Sequence, residues 1–162
     1  MEQLNINTIL NRGECVEKLK DFLVFFEANK HNLSTRRGVY VYGAPGTGKT
    51  YFVKDILREL NYDIIHYDAG DIRNKTVISD LTKYNMSDKN ILSMFNKKTE
   101  YKKIAIVMDE IDGMNSGDKG GINSLIKLIR PKKTKKQKKE DITMIPIICI
   151  SNFHVDKKIK EM

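Results

Sequence analysis

The spacing G-x-x-x-x-G-K-[ST], typical of a phosphate-binding loop, is met by Gly43, Ala44, Pro45, Gly46, Thr47, Gly48, Lys49 and Thr50. Glycines let the backbone turn tightly, so successive N–H groups can point at phosphate oxygens. The lysine can reach the β- and γ-phosphates with its positive charge, and the threonine hydroxyl can ligate Mg²⁺. The segment therefore predicts a nucleoside triphosphate site, against the alternative of a glycine-rich turn that contains a lysine by chance.

Acidic and amide side chains follow two other apolar runs of the sequence. Asp109 and Glu110 end a run that begins at Lys103, and Asn152 follows the last apolar run. Ligands bind at the carboxyl ends of strands in open α/β sheets, where one carboxylate can hold Mg²⁺ and another can polarise the attacking water. We assign Asp109 to the metal and Glu110 to catalysis as the base, while Asn152 could bond the γ-phosphate or orient the water. The alternatives are acids that cap a following helix and, for Asn152, the start of a turn.

The elements that must position these residues alternate along the chain. The apolar patterns predict strands at 38–42, 62–67, 103–109 and 144–150, and helices at 13–29, after the phosphate loop, near 75–84, near 87–97 and at 120–130. Strands that alternate with helices predict an α/β fold with a parallel, doubly wound sheet.

Length and composition favour a single intracellular domain. The 162 residues allow one ordinary domain with a hydrophobic core. No run approaches the ~18 apolar residues of a membrane span, and the first residues lack the features of a signal peptide. We therefore expect no membrane partner and no secretion. Cys15 and Cys149 fall on a predicted helix and a predicted strand, where we expect buried, reduced thiols.

The net charge of +8 is concentrated in one segment, because residues 130–139 contain one arginine and six lysines. One interpretation is a flexible, salt-sensitive contact with DNA phosphates through Lys132, Lys133, Lys135, Lys136, Lys138 and Lys139. A second is a solvated loop without a partner, and a third is a nuclear-localisation signal. The sequence leaves all three open.

Three segments together resemble the Walker A, Walker B and sensor 1 motifs of AAA+ ATPases, namely 43–50, 106–112 and 147–152. More narrowly, the chain is similar to the large subunit of the clamp loader replication factor C. That similarity is carried by residues 109–114, 117–122 and 145–150, and by the Asp-Ala-Gly-Asp-Ile-Arg stretch at 68–73. It covers about residues 36–160.

The resemblance implies a P-loop NTPase fold of the AAA+ type, a three-layer sandwich around a parallel sheet, that binds ATP and Mg²⁺. It places Thr50 and Asp109 at the metal, Glu110 at the attacking water and Asn152 at sensor 1. It also implies that Ile9 and Leu10 cover the adenine. Lys119 matches a basic residue that approaches the DNA backbone, although the family more often has an arginine there, and lysine cannot reproduce its bidentate geometry.

The family's fifth strand, helical lid, arginine finger and sensor 2 arginine would lie beyond Met162. The resemblance thus implies one C-terminally incomplete domain over 1–162, with an N-terminal segment and helix at 1–35, a phosphate-loop core at 36–162 and a basic insertion at 131–141. The expected function is ATP binding and hydrolysis, slow in isolation, in a hetero-oligomeric clamp loader at the nuclear or other site of DNA replication. Its expected partners are the other loader subunits, the sliding clamp and primer–template DNA. The alternative is an ATP-dependent interaction module, or half of a split AAA+ protein.

Overall fold

The computed structural model describes Asn7 and residues 10–68, 102–112, 119–140 and 142–152. Over these residues the elements are α1 (Gly13–Asn29), β1 (Gly38–Tyr42), α2 (Lys49–Glu59), β2 (Tyr62–Tyr67), β3 (Lys103–Met108), α3 (Lys119–Ile129) and β4 (Ile147–Ser151). A short 3-10 turn, Gln137–Lys139, lies between α3 and β4. The predicted helices near 75–84 and 87–97 lie outside the described residues.

The four strands form one parallel sheet in the order β1-β4-β3-β2. The strand that comes last in the chain lies between β1 and β3, with Tyr40 level with Cys149 and Val107 level with Ile148. This order places the loops that follow β1, β4 and β3 side by side at the carboxyl edge of the sheet. The predicted parallel α/β fold is confirmed.

Apolar side chains pack the sheet between two layers of helices. One buried cluster joins α1 and α2 to the sheet face that carries Ala105 and Val107. The other joins α3 to the opposite face, which carries Ile106 and Met108. Successive side chains of a strand point to opposite faces, so an uninterrupted apolar run such as β3 supplies both clusters. The predicted three-layer sandwich is confirmed.

Two expectations are wrong in detail. The last strand begins at Ile147 and not at 144, because the Thr143 hydroxyl bonds both the N–H and the carbonyl of Ile145 and closes a local turn before the strand. Cys15 is exposed because it lies in the first turn of α1, before burial begins at Leu19, whereas Cys149 is buried as expected. Burial raises the pKa of the Cys149 thiol to about 12.

A buried arginine organises the amino edge of the sheet. The Arg37 side chain is fully buried and donates to the carbonyls of Lys30 (2.7 Å), Asn32 (2.9 Å) and Thr143 (2.9 Å). Desolvation lowers the pKa of this guanidinium, although arginine stays charged in proteins. Arg37 thereby ties the end of α1 and the approach to β4 to the start of β1, whose other end leads into the phosphate loop.

Among the described residues, no helix combines the length and the apolar character that crossing a membrane requires.

Candidate nucleotide-binding site

The loop between β1 and α2 has the backbone that its glycines predict. Gly46 and Gly48 adopt left-handed conformations, with φ of 74° and 76°, which L side chains rarely adopt. The Thr47 hydroxyl donates to the Ala44 carbonyl at 2.8 Å and closes the loop on itself. Gly48 is the N-cap residue of α2 and makes no side-chain cap, so the first N–H groups of α2 are available to an anion.

Lys49 connects this loop to the end of the neighbouring strand. Its ammonium group donates to the carbonyls of Gly43 (3.0 Å) and Ala44 (2.9 Å) and to the side-chain oxygen of Asn152 (2.9 Å). Asn152 directly follows β4, and β4 pairs with β1. Sheet order therefore brings together two residues that are 103 positions apart in the sequence.

Thr50 and Asp109 form the second connection across the site. The Thr50 hydroxyl donates to Oδ2 of Asp109 at 2.5 Å, and the backbone N–H of Glu110 donates to Oδ1 at 2.9 Å. The carboxylate is therefore fixed on both oxygens. Glu110 is exposed and has a φ of 52°, a left-handed conformation that costs a residue with a side chain about 1–3 kcal/mol.

Two neighbouring residues were not selected by sequence reasoning. His66 lies near the end of β2 with Nε2 3.6 Å from Oδ2 of Asp109. Arg12, just before α1, donates to the carbonyl of Thr47 and lies over the Phe52 ring, 5.7 Å from its centroid. A lone histidine and a lone arginine outside any motif give no sequence signal. His66 reaches the site because β2 pairs with β3. Arg12 reaches it because α1 packs in the same cluster as α2.

The remaining predicted residues divide into three groups. Leu10 is half exposed, and Ile9 lies outside the described residues, so their contact with adenine stays a prediction. Lys119 begins α3, but its side chain is outside the described part of the chain, and its DNA contact also stays a prediction. The exposed residues Lys133, Lys135, Lys136, Lys138 and Lys139 are treated below.

Lys132 corrects the prediction of a DNA contact. Its side chain is fully buried, donating to the Lys127 carbonyl and pairing with Glu140 at 3.0 Å. A buried, paired ammonium group has no access to a DNA phosphate. Its place in a run of lysines concealed that its role is structural.

The chain has a P-loop NTPase fold. Helices flank a parallel sheet, a phosphate-binding type of loop follows β1, and polar residues follow β4 and β3. The family model described as "ATPase family associated with various cellular activities (AAA)" matches residues 39–161. The chain belongs to this family.

Relatives named for replication factor C match most of the chain. It is 31% identical to Replication factor C subunit 1 of Saccharomyces cerevisiae over 91% of this chain and 18% of that protein. It is 30% identical to the Homo sapiens subunit 1 over 83% of this chain and 11% of that protein. The Replication factor C large subunit of Methanococcus vannielii is 31% identical, over 70% of this chain and 22% of that protein. The chain thus spans less than a quarter of the length of each relative, and its resemblance to the large subunit is confirmed.

Proposed function

We propose that the chain binds ATP with Mg²⁺ through the phosphate loop and hydrolyses it as a subunit of a DNA sliding-clamp loader. The observation that carries the proposal is the pair of contacts Lys49–Asn152 (2.9 Å) and Thr50–Asp109 (2.5 Å). They gather one cation, one amide, one hydroxyl and one carboxylate beside the free N-terminus of α2. Triphosphate oxygens would compete with the loop carbonyls for the Lys49 ammonium group and would meet the N–H groups of the loop and α2.

The chemistry of Thr50 and Asp109 fits a magnesium ion that is shared with phosphates. Mg²⁺ prefers oxygen ligands and is commonly held by one or two carboxylates together with substrate phosphates. Thr50 and Asp109 offer adjacent hydroxyl and carboxylate oxygens. Within the described residues, no group of three or more His, Cys, Asp and Glu side chains could form an all-protein metal site. Bound Mg²⁺ would supply positive charge to the developing phosphate transition state.

Glu110 is the proposed general base. Its carboxylate is exposed at the carboxyl edge, next to a residue whose own oxygens are already engaged. The unfavourable φ of Glu110 supports a functional role, because residues held in strained backbone conformations cluster at active sites and ligand-binding loops. Asn152 would orient the attacking water or sense the γ-phosphate through its amide, in contact with Lys49.

The loader assignment is supported by the names of the relatives and by the segments that resemble the replication factor C large subunit. We propose that the chain works at sites of DNA replication in a hetero-oligomer with other loader subunits, the sliding clamp and primer–template DNA. An arginine finger contributes about 10³–10⁵ in rate to such reactions. We therefore propose that residues 1–162 alone hydrolyse ATP slowly unless a partner supplies an arginine finger.

Replacement of Glu110 separates an ATPase from an ATP-dependent interaction module. Glu110→Gln should keep Mg-ATP binding and lower phosphate release at least about 100-fold. Glu17→Gln, an exposed glutamate of α1, is the matched control and should hydrolyse ATP like the original chain. Hydrolysis that is equal in the two variants, or absent from the original chain with and without candidate partner subunits, would reject the ATPase assignment and favour the module.

A further inference from the structure

The basic segment forms a defined turn, which we name the lysine turn, residues 133–139. Oε1 of Gln137 accepts the N–H groups of Lys133 and Thr134, both at 3.0 Å, while the Gln137 N–H donates to the Thr134 hydroxyl at 3.2 Å. This reciprocal pairing is a capping box, which satisfies the N–H groups at the start of a helical turn. The 3-10 turn Gln137–Lys139 follows from it.

A single carboxylate closes the base of the lysine turn. Glu140 accepts from Arg130 at 2.6 and 3.3 Å and from Lys132 at 3.0 Å, and these contacts lower its pKa, the Arg130 bond most strongly. The Lys132 backbone N–H also donates to the Leu33 carbonyl at 2.8 Å, which fixes the chain before the turn. Arg130 and Lys132, two of the seven cations in residues 130–139, therefore pair with Glu140 and have a structural role.

The other five cations are presented to solvent. No ion pair within the described part of the chain involves any of them, and all five are exposed: Lys133, Lys135, Lys136, Lys138 and Lys139. Five like charges within seven residues repel one another and favour a partner with closely spaced negative charges.

The lysine turn lies at the opposite edge of the sheet from the nucleotide site. It follows the end of α3 and precedes β4, whereas the phosphate loop, Asp109 and Asn152 follow the carboxyl ends of their strands. The five residues of β1 span about 17 Å at the usual rise of a strand. Lys119 begins α3 and the lysine turn follows its end, so the length of this helix, about 16 Å for eleven residues, separates the two. The turn and the ATP site are therefore separate surfaces.

We propose that the lysine turn is a nucleic-acid-binding surface that contacts the phosphate backbone without regard to sequence and without ATP. Residues 131–139 contain no aromatic or large aliphatic side chain that could enter a bilayer or a protein groove. Lysines act as point charges on long stems, which suits contact with repeated phosphates and supplies no fixed geometry for base recognition. The proposal goes beyond the proposed ATPase and does not depend on it.

Two triple variants with the same loss of charge test the proposal. The turn variant carries Lys135→Gln, Lys136→Gln and Lys138→Gln. The control variant replaces three exposed lysines elsewhere, as Lys18→Gln, Lys102→Gln and Lys127→Gln. Fluorescence anisotropy would measure binding of the original chain and both variants to short duplex and single-stranded DNA of two unrelated sequences, without nucleotide, between about 50 and 200 mM salt.

The turn variant should bind both sequences at least about tenfold more weakly than the original chain. For duplex DNA, the slope of log affinity against log salt concentration should be smaller in magnitude by about 2–3. The control variant should stay close to the original chain. Equal losses in the two variants, or unchanged DNA binding by the turn variant, would overturn the proposal. The proposal would also be overturned if the turn variant kept its DNA binding and lost only its binding to vesicles rich in anionic lipid or to polyglutamate. Mg-ATP binding should be the same in both variants, so failure of this proposal is distinguishable from failure of the ATP site.

Discussion

Replacement of Arg37 by methionine should destabilise the fold far more than the same replacement of its neighbour. Arg37 is fully buried and bonds three backbone carbonyls, whereas Arg36 is exposed. Methionine approximates the length of the aliphatic part but offers no donor. The change removes these three hydrogen bonds at the junction of α1, β1 and the approach to β4, where the Asn32 carbonyl still accepts the Thr35 N–H at 3.1 Å.

The size of the effect follows from these three bonds. A hydrogen bond to a charged group contributes about 1.5–3 kcal/mol. The total loss of stability is smaller than the sum of three such bonds, because Arg37→Met also removes the cost of burying a charge. Nε of Arg37 lacks a hydrogen-bond partner among the described residues, which also lowers the favourable total. We expect Arg37→Met to lower the free energy of unfolding by about 3–5 kcal/mol, and Arg36→Met to change it by less than about 0.5 kcal/mol.

Urea denaturation followed by circular dichroism measures both variants. With a slope of about 2 kcal/mol/M, the Arg37→Met midpoint should fall by at least about 1.5 M relative to Arg36→Met. Should Arg37→Met fail to fold, Arg37→Lys provides the measurable case: it keeps the charge but reaches fewer carbonyls, so we expect an intermediate midpoint. Equal midpoints for Arg36→Met and Arg37→Met would refute the structural role of Arg37.

Two further predictions concern close packing and burial. Gly38→Ala should lower the free energy of unfolding by about 1–3 kcal/mol, because its new Cβ would lie 2.8 Å from Cδ1 and 3.1 Å from Cβ of Ile129. Gly13→Ala, where a Cβ meets nothing within 4 Å, should be neutral or slightly stabilising. Thermal unfolding of both variants measures the difference, and similar losses of stability in the two would contradict the packing of Gly38 against Ile129. A thiol reagent near pH 8 should label exposed Cys15 in the native chain but buried Cys149, with its pKa raised to about 12, only after denaturation. Equal labelling rates in the native chain would contradict the burial of Cys149.

The sequence alone predicted those parts of the fold that depend on local pattern. The apolar run at β3 predicted a buried strand because both of its faces are covered. The glycines predicted a tight turn, which the loop forms with Gly46 and Gly48 at positive φ. The polar residues that follow β3 and β4 both contact the phosphate-loop segment, because parallel strands end at the same edge of the sheet.

Tertiary pairing decided what the sequence could not predict. Arg36 and Arg37 are identical in type and adjacent, and only the packing at the amino edge determines which of them is buried. Lys132 is likewise indistinguishable from the lysines that follow it until Glu140 and the Leu33 carbonyl are placed beside it. Arg12 reaches Thr47 only because the start of α1 lies next to the phosphate loop.

The central claim, that residues 43–50 form an ATP site completed by the neighbouring strand ends, is tested most directly by the binding of Mg-ATP to residues 1–162. Isothermal titration calorimetry would compare the original chain with Lys49→Ala and with Arg58→Ala, an exposed cation in the last turn of the same helix. We expect the original chain and Arg58→Ala to bind with equal affinity, and Lys49→Ala to lose binding or to weaken it at least about tenfold. Undiminished Mg-ATP binding by Lys49→Ala would contradict the assignment of the site.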